Sequence, residues 1–242
     1  MAKRGMAKRG MAKRGTAKRG MATRAASCAV DSGSPGLWIM GSWILTAHPN
    51  PVIFLASASP RRRILLDQLG VRHLWGIVDV DETWLPGEPA ERYTVRLALA
   101  KARAGRLAQP RLPVLAADTA VVLDEEVMGK PRDRTHGLAM LANLSGRSHR
   151  VLSAVALVAG EREASRLSVS TVSFRVMSEA ERLAYWDTGE PADKAGGYAI
   201  QGRAAAFVAH LAGSYSGVMG LPLYETAQLL EEFGIALWTG EN

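Results

Sequence analysis

The chain of 242 residues contains one cysteine, Cys28, so a disulfide framework and a multi-cysteine zinc site are both excluded. No stretch of 18 consecutive apolar residues occurs, which excludes a transmembrane helix. The pattern G-x-x-x-x-G-K-[ST] is absent, and with it the P-loop kinases and NTPases; no G-x-S-x-G elbow occurs either. Five histidines (His48, His73, His136, His149 and His210) show no metal-ligand spacing and read as structural or surface residues. Acidic residues are missing from positions 1–25, which hold nine Lys or Arg. That scarcity decides what the net charge of +7 means. Beyond residue 25 the chain has 21 bases against 23 acids, so the basicity belongs to a tail and not to a nucleic-acid-binding face.

The tail is built on MAKRG, repeated with small lapses. A five-residue period matches neither a helix nor a strand, and glycine at every fifth position weakens any helix. Residues 1–50 therefore read as a low-complexity basic leader, disordered over 1–35, and residues 51–238 as one domain. Met21 and Met40 offer later starts. Residues 36–46, GLWIMGSWILT, imitate an export signal, but the basic region before them is too long and no small-x-small cleavage site follows closely.

From residue 51 the texture changes. Val52–Ala56 reads as a strand, and Ser59-Pro60 as the start of a helix, with the serine oxygen as N-cap and the proline at the first helical position. That helix stops at Gly70. A strand over 71–79 precedes a long helix over 89–107, whose buried stripe is read as Tyr93, Leu97, Ala100 and Ala104. Pro113–Leu123 reads as a buried strand and Thr135–Leu144 as a helix. Residues 149–159 and 165–177 form two strands around the turn Gly160-Glu161-Arg162. A capping box, Ser178 with Glu181, opens the next helix, which ends near Gly189. After a Gly-rich loop over 190–204 come a strand at Phe207–Leu211 and a helix from Pro222 to Gly234. The order implies an α/β domain with a mixed sheet.

Six stretches carry chemistry. Three arginines in the first turn after Ser59, Arg61, Arg62 and Arg63, oppose the helix dipole unless an anion neutralises them, which suits phosphate. Asp118 lies in a strand otherwise fit for burial, so it is a metal ligand, a base activating water, or a satisfied structural carboxylate. Lys130, between Gly129 and Pro131, is either aimed by its restricted backbone or merely exposed. Lys101 either snorkels from the apolar face of its helix or points into an anion-binding cleft. In the loop Asp193–Gly202, glycines permit close approach to a ligand, and the Gln201 amide is able to read a base edge. Asp79, Asp81 and Glu82 end a strand together and offer oxygen ligands for Mg²⁺.

In order, LASASPRR, DET, RLALAKARA, LAADTAVVLD, GKPRD, LSGRSHRV, DKAGGYAIQG and GSYSGVMGLP strongly resemble the Maf family of nucleoside triphosphate pyrophosphatases, over roughly residues 51–235. The resemblance implies an elongated α/β domain of two lobes around a central cleft, like other NTP-cleaning pyrophosphatases. It implies hydrolysis between the α and β phosphates with a divalent cation (Mg²⁺ or Mn²⁺), in the cytoplasm, without nucleic acid or membrane as partner, and it allows a homodimer. The family's catalytic aspartate falls on Asp118, also a metal ligand together with Glu82. Phosphate-handling positions fall on Ser59, Arg62, Lys101 and Lys130, with Arg61 among them. The positions that tune base preference fall on Arg61, Thr119 and Gln201, a combination similar to the dTTP/UTP subfamily; the 7-methyl-GTP subfamily has tryptophan where Arg61 stands. Pyrophosphatases for other nucleotides, and a cell-division regulator that binds nucleotide without turnover, are the alternatives.

Because every matched motif follows residue 51, deleting residues 1–45 is expected to leave thermal stability and turnover within a small margin of the full chain. A marked loss of either would show that the leader packs on the domain.

Overall fold

A computed structural model describes residues 50–238 in full and the backbone of residues 38–40 and 43–45. The basic repeat, the rest of the apolar stretch after it and His48 lie outside the described residues. Trp38–Met40 (β1) and Trp43–Leu45 (β2) pair antiparallel. The main sheet is mixed, as the order of elements implies. It contains β3 (Ile53–Ala56), β4 (His73–Gly76), β5 (Val114–Leu123), β6 (Glu126–Met128), β7 (Ser148–Ala159), β8 (Arg162–Phe174) and β9 (Val208–Ala212). Its order is β4-β3-β5-β7-β8-β9, with β6 beside the far end of β5. β3 is parallel to both β4 and β5; the pairings from β5 onward are antiparallel.

Helices cover both faces, and the period of two along β5 sorts its side chains between them. Val114 and Ala116 pack with Ala98 and Ala102 of α2 (Ala90–Ala108). Leu115 and Ala117 pack with Leu65 and Leu66 of α1 (Pro60–Gln68) and Leu229 and Leu230 of α6 (Leu223–Glu232). Further along, Val121 and Leu123 join a cluster with Leu141 and Leu144 of α3 (Arg134–Leu144) and Tyr185 of α4 (Glu179–Asp187). A short helix, α5 (Tyr215–Met219), precedes α6. No helix among the described residues is long and apolar enough to cross a membrane.

Three expectations need correcting, and one strand was missed. α2 buries Ala90, Thr94, Leu97, Ala98, Ala102 and Gly105, so of the stripe read from the sequence only Leu97 lies in the core. The buried stripe is rotated by about one position from the one read, and it includes Gly105, where a Cβ would stand 2.8 Å from Ala56 Cβ and from Val114 Cγ1, so the helix approaches the sheet closely. Ser59 occupies the N-cap of α1, yet its side chain makes no cap bond. Instead the Ser59 N–H donates to Ser57 Oγ (3.1 Å). β4 stops at Gly76, leaving Asp79, Asp81 and Glu82 in a loop. There Asp81 Oδ1 accepts from the Thr83 N–H (2.9 Å), and no cluster of three or more His, Cys, Asp or Glu suited to a metal exists among the described residues. Finally, β6 was not anticipated, because its hairpin turn is Asp124-Glu125 and not a glycine pair. Both turn residues have positive φ (51° and 65°) and are tethered by Arg147 and Arg150.

The capping box forms as read, with Ser178 and Glu181 exchanging side-chain-to-backbone bonds. His149, on β7, is buried, and its Nε2 lies 2.7 Å from the Tyr198 hydroxyl. Its Nδ1 has no partner among the described residues. Burial pushes the imidazole down to about 4 from 6.5. The unfolded chain therefore takes up the proton first. Stability contributed by neutral His149 is complete above pH 6.5 and is lost as the pH falls to about 4, on the order of 3 kcal/mol. Urea titrations across this window are expected to show that decline in the wild type and a flatter profile in His149→Gln; equal slopes would remove His149 as the source.

Candidate active site

The site arises from an interruption in the sheet. β3 pairs with β5 only at Phe54↔Val114 and Leu55↔Leu115, and β6 takes up the same edge of β5 only from Val121. Between them, residues 116–120 have a strand partner on the β7 side alone. A cleft of about 510 Å³ opens at this gap, within the range of small-molecule sites. It lies beyond the carboxyl end of β3, where the chain turns into α1. Connections from β3 leave toward β4 on one side and return toward β5 on the other, the arrangement that places ligands in open α/β sheets.

Strand alternation sends Asp118 and Thr119 to opposite faces at this gap. Asp118 faces α2, where Lys101 meets it: Nζ donates to Oδ1 at 2.6 Å. The same ammonium lies 2.6 Å from Glu82 Oε1. Asp118 and Lys101 are mostly buried (side chains 10% and 14% exposed), whereas Glu82 is 55% exposed. Lys101 therefore points into the cleft. Glu82 is held by its loop: the Tyr93 hydroxyl donates to the Glu82 carbonyl (3.1 Å), and Arg96 binds Glu88 and the Thr83 carbonyl.

Thr119 faces α1 and α5. Arg62 Nε donates to the Gly220 carbonyl (2.7 Å), Nη1 to Ser57 Oγ (3.4 Å) and Nη2 to Thr119 Oγ1 (3.3 Å). Ser153, opposite Thr119 on β7, donates its proton to the Gly217 carbonyl at 2.5 Å. The 3.1 Å contact between Thr119 and Ser153 is then donated by Thr119. This leaves Thr119 only acceptor capacity toward Arg62 and the cleft. The three hydrogen-bond partners of Arg62 are all neutral. Burial lowers its pKa, with Asp118 and Glu82 acting the other way, and the guanidinium remains a cation.

The rim is also cationic. Arg61, Lys130 and Lys194 line the cleft, and Lys194 pairs with Asp193. Burial lowers the Arg61 pKa, with Asp193 opposing. Ser59 lies at the α1 end and Gln201 on the Gly-rich loop. The structure thus brings Ser59, Arg61, Arg62, Glu82, Lys101, Asp118, Thr119, Lys130 and Gln201 around one cleft. The sequence reading missed what holds them: Ser57, Tyr93, Ser153 and Gly220. Only the register of β5 on β7 identifies Ser153, and nothing local marks Tyr93 as a support for the Glu82 loop.

The model of Maf-like proteins matches residues 52–233. The chain belongs to the Maf family. Among curated Maf relatives, a dTTP/UTP pyrophosphatase of Alkalilimnicola ehrlichii is 61% identical over 191 residues, covering 76% of this chain and 94% of the relative. Proteins of the same name from Aromatoleum aromaticum (55% identical, 76% and 97% covered) and Bordetella avium (52% identical, 77% and 98% covered) are also similar. A solved structure, the Staphylococcus aureus Ham1 protein, is 16% identical and covers 52% of this chain and 72% of that one at a TM-score of 0.33, too low to bear on the argument.

Removing one partner of a buried ion pair leaves the other charge uncompensated, at a cost of about 3–5 kcal/mol. Lys101→Met should be destabilised on that scale in urea unfolding. Lys101→Met/Asp118→Asn should recover part of the loss, revealing the coupling. Additive losses would mean that the ammonium and Asp118 do not support each other.

Proposed function

We propose that the chain hydrolyses dTTP and UTP between the α and β phosphates, consuming one water and releasing the nucleoside monophosphate and pyrophosphate. The observation that carries this reading is Arg62, a cation held in the cleft by neutral partners only, beside the buried Asp118–Lys101 pair. The names of the relatives support it.

Each residue has a part in that reading. Arg62, Lys130 and Arg61 bind the polyphosphate, and the free N–H groups at the start of α1 after Ser59 add donors. Lys101 orients Asp118 and Glu82 toward one point. Their donor set is carboxylate oxygen, without histidine or thiolate, which fits a hard divalent cation such as Mg²⁺ or Mn²⁺. Among the described residues no cluster of three or more such ligands exists, so Asp118 and Glu82 would hold the cation with the remaining positions left to substrate and water. When bound, the cation supplies charge neutralisation and a more acidic water. In this reading Asp118, the buried carboxylate, takes a proton from water. Gln201 and Thr119 serve base recognition: the acceptor-only face of Thr119 suits an N–H donor, such as N3–H of uracil or thymine, which cytosine lacks. A cytoplasmic location belongs to this reading, supported by nucleoside triphosphates being intracellular metabolites.

Asp118→Asn preserves shape and removes the carboxylate. Its rate of pyrophosphate release from UTP is expected to fall about 10²- to 10⁴-fold with the fold intact. Retention of a tenth of the wild-type rate would take Asp118 out of the mechanism. In a panel of UTP, dTTP, CTP and 7-methyl-GTP, kcat/KM should be comparable for the first two, which differ on the base by one methyl worth about 1–3 kcal/mol, and far lower for the others. Nucleotide binding without pyrophosphate release, in single turnover, would favour a regulator.

A further inference from the structure

Gln201 lies exposed on the cleft wall, in a loop that contains little regular structure. Its main chain is nonetheless fixed on both flanks by side chains of another segment. The helix α4 ends at Asp187, and Gly189, with a φ of 76°, turns the chain beyond it so that Glu190 points back at the loop. The Glu190 carboxylate accepts from the Arg203 N–H on Oε2 (3.0 Å) and the Ala204 N–H on Oε1 (3.3 Å). The Tyr185 hydroxyl donates to the same Oε1 (2.7 Å), and its oxygen accepts from the Ala199 N–H (3.2 Å). Gly202 makes the approach feasible, because a Cβ there would stand 2.3 Å from Glu190 Oε2.

We propose that Glu190, acting with Tyr185, is a positioning residue for base selection: it clamps residue 199 on one side and residues 203–204 on the other, so that Gln201 is presented to the base in one place. The proposal rests on the reading of the cleft as a uridine and thymidine nucleotide site. A rigid amide discriminates between bases because it cannot swing to satisfy the wrong edge, and preorganised polar groups left unpaired penalise the mismatch. The clamp depends on a carboxylate. Three donors converge on Glu190, and an amide in its place would turn an NH₂ group toward at least one of them. The ionised form fits its surroundings: burial raises the Glu190 pKa, but the bonds from Arg203, Tyr185 and Ala204 outweigh that and leave it lowered. On the other side of the loop, Tyr198 is anchored by His149, and the Gly196 N–H donates to the Gly129 carbonyl (3.1 Å), beside Lys130.

The test measures kcat/KM for UTP and CTP with Mg²⁺ in the full-length wild type, Glu190→Gln and Tyr185→Phe. The UTP-over-CTP ratio is expected to fall at least tenfold in Glu190→Gln, chiefly through a higher KM for UTP. A smaller fall is expected in Tyr185→Phe, which keeps both main-chain bonds to Glu190. Amide hydrogen exchange should quicken at residues 199–204 and stay unchanged along β7. A folded Glu190→Gln with a ratio within twofold of wild type overturns the clamp; should that variant not fold, Tyr185→Phe is judged by whether its ratio falls at all. A wild type that prefers another base sinks the uridine and thymidine reading, and the clamp then stands or falls on whether the variants lose that other preference. A wild type without base preference overturns both.

Discussion

A carboxylate placed in the middle of a buried strand has to be met by a cation, and the contact between Asp118 on β5 and Lys101 on α2 is the constraint that the surrounding structure serves. For the ammonium to reach the strand, α2 must lie close to the sheet. That closeness explains the small residues along its inner face, Ala98, Ala102 and Gly105. The same ammonium draws Glu82 across from a loop that has no strand to support it. Tyr93 and Arg96, also on α2, hold that loop. One helix thus sets both carboxylates and the charge between them.

The other face of β5 follows a different logic. Arg62 is satisfied by a carbonyl and two hydroxyls, none of which cancels its charge. Lys101 is neutralised by its two carboxylates, so the cleft contains one cation already committed and another whose charge is held in reserve. That division separates a group that orders the acids from one whose charge is left uncompensated by its hydrogen-bond partners. It also gives Thr119 a fixed polarity, since the chain from Thr119 through Ser153 to the Gly217 carbonyl leaves the threonine proton no freedom.

Much of this was legible in the sequence, and the failures are instructive. The Ser178 capping box and the turn at Gly160-Glu161 appear where they were read, although the strand after that turn runs over Arg162–Phe174 and not 165–177, because Arg162 already pairs with Ala159. β6 escaped because Asp124 and Glu125 adopt a glycine-like turn that distant arginines stabilise, information outside any local window. α5 escaped because five residues are too few to show a period. The charged residues of the cleft could be named, because a charge among apolar neighbours needs a reason. Their supports could not. Ser153 depends on strand register, and Glu190 on a loop folding back across the end of α4; both are ordinary polar residues until the fold brings their partners to them.

The interruption beside β5 has one more consequence. Residues 116–120 present an unpaired strand edge inside the molecule, and such edges are templates on which a foreign strand can add. Here the edge opens onto Arg62, Lys101 and Asp118, all lining the same cleft. A strand entering the gap would have to bury those charges against its own backbone, whereas a highly charged ligand would welcome the cations. The charges that line the gap therefore also disfavour the addition of a polypeptide strand at this edge.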